Sequence, residues 1–144
     1  MKKILLPLLF LGLSLGSFAQ DLTVSQVPVQ VMNTFNTKFS KALNVKWQRA
    51  GLFYDVRFVL GVADHYASID SVGTVLRHEY DISSRSLPKT VQDNLIANYP
   101  RFKIEDVQRI DIGRTTTNFL VQIKFDSEQY KVTFDLNGKE LSKK

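Results

Sequence analysis

The chain has 144 residues, a formal net charge of +5 and no cysteine. Its hydrophobic fraction of 44% and charged fraction of 23% indicate a folded globular protein and exclude the composition of a disordered chain. The length allows one domain, and the lack of cysteine excludes disulfides, thiol catalysis, cysteine metal sites and a lipid-bearing cysteine.

The N-terminus has the three regions of a secretory signal peptide. A pair of lysines precedes an apolar stretch from Ile4 to Leu15, and Ser17 and Ala19 are the small residues that signal peptidase requires. We predict a signal peptide at residues 1–19, cut after Ala19, and a periplasmic or secreted mature chain at residues 20–144. The apolar stretch is shorter than the ~20 residues of a spanning helix, so no membrane anchor is expected in the mature chain.

Past the cut, a proline-led apolar pattern occurs twice in the chain. It comprises Val27-Pro28, Val31, Phe35 and Phe39 in the first copy, and Leu87-Pro88, Val91, Leu95 and Tyr99 in the second. Proline is tolerated at the start of a helix, and apolar residues four apart line one helical face. Each copy therefore predicts an amphipathic helix that begins near its proline.

Alternating apolar residues after each helix predict β-strands. The alternation is clearest at Phe119, Val121 and Ile123, and Asn137-Gly138 is a strong hairpin signal. The predicted strands lie near Val45–Gln48, Phe53–Leu60, Asp64–Asp70 and Thr74–Tyr80, and again near Val107–Ile112, Asn118–Asp126, Glu128–Asp135 and Lys139–Ser142. One apolar face per strand is typical of a half-buried antiparallel sheet.

The predicted fold is α+β, with two tandem helix plus four-strand repeats at residues 27–80 and 87–142. Because one such unit buries too little apolar surface alone, we expect the two to form one antiparallel sheet around a shared core. Both helices would pack on one face of the sheet. The opposite face would stay open to solvent and is the natural place for function.

The combined pattern resembles the PepSY-like family of exported bacterial proteins, whose fold is similar to that of the β-lactamase inhibitory protein. The residues that carry the resemblance are the two proline-led patterns, Val45, Trp47, Tyr54, Val56, Phe58, and the Asp-x-x-Gly segments Asp70–Gly73 and Asp135–Gly138. The resemblance covers residues 20–144 as a single PepSY-like domain. It implies a non-enzymatic binding module of the cell envelope, with inhibition of an enzyme as one form of binding.

The residues that alternate with the apolar residues along each predicted strand are the candidate binding residues of the open face. They are Lys46, Arg57, Tyr66, Arg109, Gln122, Lys124 and Lys131, with Asp55 and Asp111 as the opposing charges. A cationic sheet with aromatic groups suits an acidic envelope protein or peptide. The modest net charge of the mature chain does not indicate a nucleic-acid partner.

No catalytic, metal or cofactor motif stands out. His65 and His78 lack metal-ligand spacing, and the Asp-x-x-Gly segments do not continue into a calcium loop, so both segments are read as turns. The first hypothesis is therefore a binding or inhibitory module without enzymatic activity. The alternatives are a small-ligand carrier of the envelope folded as a curved-sheet cone and, third, a hydrolase.

Overall fold

The computed structural model describes residues 20–144, so the predicted signal peptide lies outside the described residues. Besides short 3-10 helices at Val24–Gln26 and Ser84–Ser86, the described chain contains two α-helices and nine strands. In order, they are β1 Gln20–Leu22, α1 Val29–Lys38, β2 Leu43–Ala50, β3 Phe53–Leu60, β4 Ala63–Asp70, β5 Val75–Asp81, α2 Lys89–Asn98, β6 Lys103–Ile112, β7 Thr116–Phe125, β8 Glu128–Asp135 and β9 Glu140–Lys143. Within residues 20–144, no helix is long and apolar enough to span a bilayer.

The strands form one antiparallel sheet in chain order, from β1 at one edge to β9 at the other. The helices are inserted between β1 and β2 and between β5 and β6. Strand β1 was not predicted from the sequence, and β6 begins at Lys103, four residues before the predicted start. A bulge between Ile104 and Asp106 interrupts the regular alternation there, which hid the start of the strand.

The register shows that both helices cover the same face of the sheet. Phe58 is paired with His65 on the next strand. His65 is paired in turn with Tyr80, and Tyr80 with Arg109. Arg109 in turn is paired with Phe119. Because directly paired residues point to the same side, Phe58 under α1 and Phe119 under α2 share one face, here named the helix face. The other side is named the open face.

The helix face carries two hydrophobic clusters rather than the single shared core that the sequence predicted. The cluster under α1 contains Val31, Phe35, Trp47, Val56 and Phe58, and the cluster under α2 contains Val91, Leu95, Val107, Val121 and Phe134. Between them, β5 and β6 present His78, Tyr80 and Arg109 instead of aliphatic side chains. Polar and aromatic groups therefore separate the two clusters.

The two Asp-x-x-Gly segments are hairpin turns that contact the helices. In the second, the Asp135 carboxylate accepts hydrogen bonds from the backbone of Asn137 and Lys139, and Thr90 of α2 donates to the Leu136 carbonyl over 3.0 Å. Gly138 has a φ of +80°, and a Cβ there would lie 2.3 Å from the Thr90 carbonyl oxygen. The glycine is thus required by backbone conformation and by contact with the helix.

Candidate functional site

The open face has no helix over it within residues 20–144, and six of the seven predicted binding residues lie on it. Lys46, Arg57 and Tyr66 are paired in succession across β2, β3 and β4. In the second half of the sheet, Gln122 is paired with Lys131, and Lys124 lies two residues further along β7. The predicted set is therefore divided into two groups that lie on opposite halves of the sheet.

Arg109 was wrongly predicted to lie on the open face. It is paired with Tyr80 and Phe119 on the helix face, and its Nε donates to the Asp111 carboxylate over 3.0 Å. The physical reason is that the middle of β6 lies between the two hydrophobic clusters, where polar side chains occupy the helix face. The apolar Ile110 points to the open face instead, so the apolar pattern gives the wrong phase in this strand.

A first depression of about 890 Å³ occupies the open face of the first half. Its lining mixes charges of both signs: the cations are Lys46, Arg57 and Arg77, and the carboxylates are Asp55, Asp64, Glu79 and Asp81. Arg77 forms an ion pair with Glu79, two residues along the same strand. The guanidinium of Arg57 lies 5.9 Å from the centroid of the Tyr66 ring, in a cation–π contact.

The floor of the first depression holds an unusual acceptor. One oxygen of Asp55, Oδ1, is buried and has no hydrogen-bond partner among the described residues. Asp55 is paired with Ser68, which is only 8% exposed. Burial and the nearby Asp55 carboxylate raise the pKa of Tyr66 to about 12. Unpaired buried acceptors are rare and costly in folded proteins.

A second depression of about 360 Å³ lies next to the first, and Arg77 lines both. Its charged lining residues are Arg77, Lys131 and Lys144, and its apolar ones are Ile110, Ile112 and Leu120. No acidic side chain lines it. The second depression thus combines cations with aliphatic side chains, whereas the first combines cations with acids.

Sequence reasoning missed Arg77, Glu79 and Asp81, which all lie in β5. Every residue of that strand is of intermediate exposure, so no apolar face reveals which side chains point outward. One signal was available: Arg77 and Glu79 are opposite charges two residues apart, a spacing that places both on one face of a strand.

The two histidines lie on the helix face, and His65 also borders the first depression. His65 Nδ1 is 3.0 Å from His78 Nε2, and both rings stack with Tyr80. Burial, followed by the neighbouring His65, lowers the pKa of His78 to about 4. Among residues 20–144, no group of three or more potential metal-ligating side chains is present.

Comparison with known proteins identifies the fold. No protein-family model and no curated protein matches the sequence. A DUF2874 family protein from Bacteroides ovatus aligns with a TM-score of 0.69 at 18% identity, over 81% of this chain and 86% of its own. A BLIP-like protein (like the β-lactamase inhibitory protein) from Bacteroides fragilis aligns with a TM-score of 0.66 at 20% identity, over 81% and 85%.

A third solved structure is that of a Bacteroides eggerthii protein with a provisional periplasmic assignment. It aligns with a TM-score of 0.71 at 15% identity, over 82% of this chain and 88% of its own. At these identities the likeness shows the fold, which is α+β and BLIP-like. The predicted likeness in fold is therefore confirmed, while membership of the PepSY-like family stays a prediction. Fold likeness does not transfer a binding target.

Proposed function

We propose that this protein is a non-enzymatic binding or inhibitory module of the bacterial periplasm that recognises a protein or peptide through the open face. The observation that carries the proposal is the position of both helices on one side of the sheet, which leaves two adjoining depressions uncovered on the other. Uncovered sheet surface that carries charged and aromatic groups is typical of recognition sites.

The chemistry of the first depression supports a protein partner. Arg57, Tyr66 and Asp55 offer, within one depression, a cation, an aromatic ring and a carboxylate. Arginine and tyrosine are enriched at the centres of protein interfaces. A partner with both an acidic group and an amide or cationic donor would complement this set. This refines the predicted partner, an envelope protein or peptide of acidic character.

Export to the periplasm is part of the same proposal. Its support is the signal-like sequence at residues 1–19 and the provisional periplasmic assignment of a protein with the same fold. A cut after Ala19 would leave Gln20 as the first residue, and Gln20 is also the first residue of β1.

We further propose that residues 27–80 and 87–142 descend from one duplicated unit of the PepSY-like type. Each unit is a ten-residue helix followed by four strands. An offset of 65 residues, read from the sequence, superimposes the pairing of Tyr54 with Ile69 on that of Phe119 with Phe134. The close approach of Gly73 to the Gln30 carbonyl has its counterpart in the close approach of Gly138 to the Thr90 carbonyl.

The alternative function, a small-ligand carrier with a cone fold, would place a cavity between the helices and the sheet. That space is occupied by fully buried side chains, among them Val31, Val56, Val91 and Val121. The two depressions lie on the other side of the sheet, where nothing encloses them. A recognition surface for a protein or peptide is therefore the better account.

The proposal is tested by photo-crosslinking in the envelope of cells that produce the protein. A photoreactive phenylalanine analogue is placed at Tyr66 on the open face or, as the matched control, at Ile96, which is 66% exposed on α2. We expect a discrete adduct from position 66 and none from position 96. The purified partner should then bind the Arg57→Glu variant at least tenfold more weakly than the native protein. Adducts from position 96 alone, or unchanged binding by the variant, would contradict the proposal.

A further inference from the structure

The charged side chains that line the second depression are all cationic. Three of its lining residues, Arg77, Lys131 and Lys144, are cationic, and none is acidic. Arg77 is already engaged by Glu79. Within residues 20–144, neither Lys131 nor Lys144 lies within ion-pair distance of a side-chain carboxylate. The two lysines are thus the uncompensated charges of this depression.

Lys131 and Lys144 lie directly opposite each other on adjacent backbone segments. The Lys131 N–H donates to the Lys144 carbonyl over 2.9 Å, and the Lys144 N–H donates to the Lys131 carbonyl over 3.1 Å. Residues that exchange both backbone hydrogen bonds point to the same face, and like charges in that position are destabilising. An anion placed between the two ammonium groups would remove this repulsion.

The floor beside these lysines is aliphatic. Ile110 is 5% exposed but belongs to neither hydrophobic cluster, because it points to the open face. Ile112 is 38% exposed, and Leu120 completes the floor. Aliphatic surface grouped on a solvent-facing sheet is a favourable contact area for a partner's side chain. Asn118, Thr133 and Ser142 add neutral hydrogen-bonding groups around it.

From this arrangement we infer that the second depression binds a peptide segment that carries a carboxylate one or two residues from an aliphatic or aromatic side chain. The carboxylate would lie between Lys131 and Lys144, and the apolar side chain would lie on Ile110, Ile112 and Leu120. The inference rests on the proposed function and specifies the chemistry of the partner at this position.

A peptide suits the second depression better than a long-chain lipid does. The volume of about 360 Å³ holds only a few side chains, and the depression is open rather than a channel that would enclose an acyl chain. The neutral polar groups at Asn118, Thr133 and Ser142 match the backbone donors and acceptors of a peptide.

The test is selection of a displayed random peptide library on the purified full-length protein, followed by anisotropy titration of the strongest labelled peptide. We expect the selected peptides to share Asp or Glu within two residues of Leu, Ile, Val or Phe. Lys131→Glu and Ile112→Asn should each weaken binding at least tenfold. Lys103→Glu, the same charge change on the same face outside the second depression, should change binding less than twofold.

Several outcomes would overturn the inference. A library that yields no peptide, peptides without the acidic and apolar pair, or binding insensitive to Lys131→Glu would each do so. If Arg57→Glu weakens binding and Lys131→Glu does not, the open face keeps its role and only this inference fails. If neither variant changes binding, the proposed function fails as well. Displacement of the peptide by an equal concentration of decanoic acid would exclude a peptide as the specific occupant.

Discussion

His65 and His78 meet on the helix face, with Nδ1 of the first 3.0 Å from Nε2 of the second. A hydrogen bond between two imidazoles needs one ring nitrogen with its proton and one without. If both rings are fully protonated, the bond is lost and two positive charges face each other. The pair packs against Phe39 and Phe58 of the cluster under α1, and the charged groups around it are Asp64, Asp81, Asp111, Arg109 and Lys38.

We expect the protein to lose stability as the pH falls from about 6.5 towards 4. The pKa of His78 is lowered to about 4 by burial and by His65, whereas an unfolded histidine titrates near 6.5. In that window the unfolded chain binds more protons than the folded one, so acid favours unfolding. The free energy of unfolding should fall by about 1 to 2 kcal/mol, after discounting for solvent screening of this half-buried group.

Urea unfolding between pH 5 and pH 7.5 measures this effect. The His78→Phe variant keeps an aromatic ring in the stack but has no titrating nitrogen, so its stability should depend less on pH. If the free energy of unfolding changes equally with pH in the native and variant proteins, the assignment to His78 is wrong.

Gly138→Ala should destabilise the protein by about 3 kcal/mol, because alanine adds strain at positive φ and a Cβ too close to Thr90. Gly113→Ala is the matched control. Gly113 also has a positive φ, of +60°, but an added Cβ would meet nothing within 4 Å. Gly113→Ala should lower the free energy of unfolding by about 1 kcal/mol. Thermal unfolding of both variants gives the comparison, and equal losses would show that the contact with α2 does not matter.

Asp55→Asn should lower the pKa of Tyr66 from its native value of about 12. The Asp55 carboxylate disfavours the negative tyrosinate, and a neutral amide removes that effect. An NMR titration of the labelled tyrosine ring carbons follows each tyrosine separately. Glu128→Gln is the control, since it removes the carboxylate bound by Tyr130 and should lower the pKa of Tyr130 alone. An unchanged pKa of Tyr66 in Asp55→Asn would show that the Asp55 carboxylate does not raise it.

The exported protein should begin at Gln20. Mass spectrometry of the mature chain purified from the periplasm or the medium determines this terminus. Ala19→Leu should slow processing, because signal peptidase needs a small residue before the cut. A cut two or more residues further on would remove most of the short strand β1, and we expect such a chain to be less stable at that edge.

The sequence predicted the strands that bury one side only and the helices that begin after a proline. Phe119, Val121 and Ile123 alternate because one side of β7 is buried and the other is open, and Pro28 and Pro88 precede helices that start at the next residue. In the middle of the sheet, the apolar residues no longer all lie on the helix face. Between the two hydrophobic clusters, the helix face accepts Arg109 and the open face accepts Ile110, so apolar phase no longer identifies the buried side.

The face on which a candidate binding residue lies was predictable where its strand has one apolar side. Lys46, Arg57 and Lys131 lie in strands with a clear apolar side and were placed correctly. The mixed charge of the first depression was not foreseen, because Arg77, Glu79 and Asp81 join it only through the register of β5 with its neighbours. Which strands are neighbours is set by tertiary packing, and the pattern within a single strand does not contain that information.

The order of the strands also bears on how the chain acquires its structure. Each strand pairs with the one that precedes it along the chain, so no segment has to wait for a distant part of the sequence before it forms hydrogen bonds. The first cluster uses only residues up to Ile69. As the polypeptide emerges from the ribosome or from an export channel, we therefore expect the sheet to grow one hairpin at a time from its N-terminal edge, with little unpaired strand exposed to aggregation.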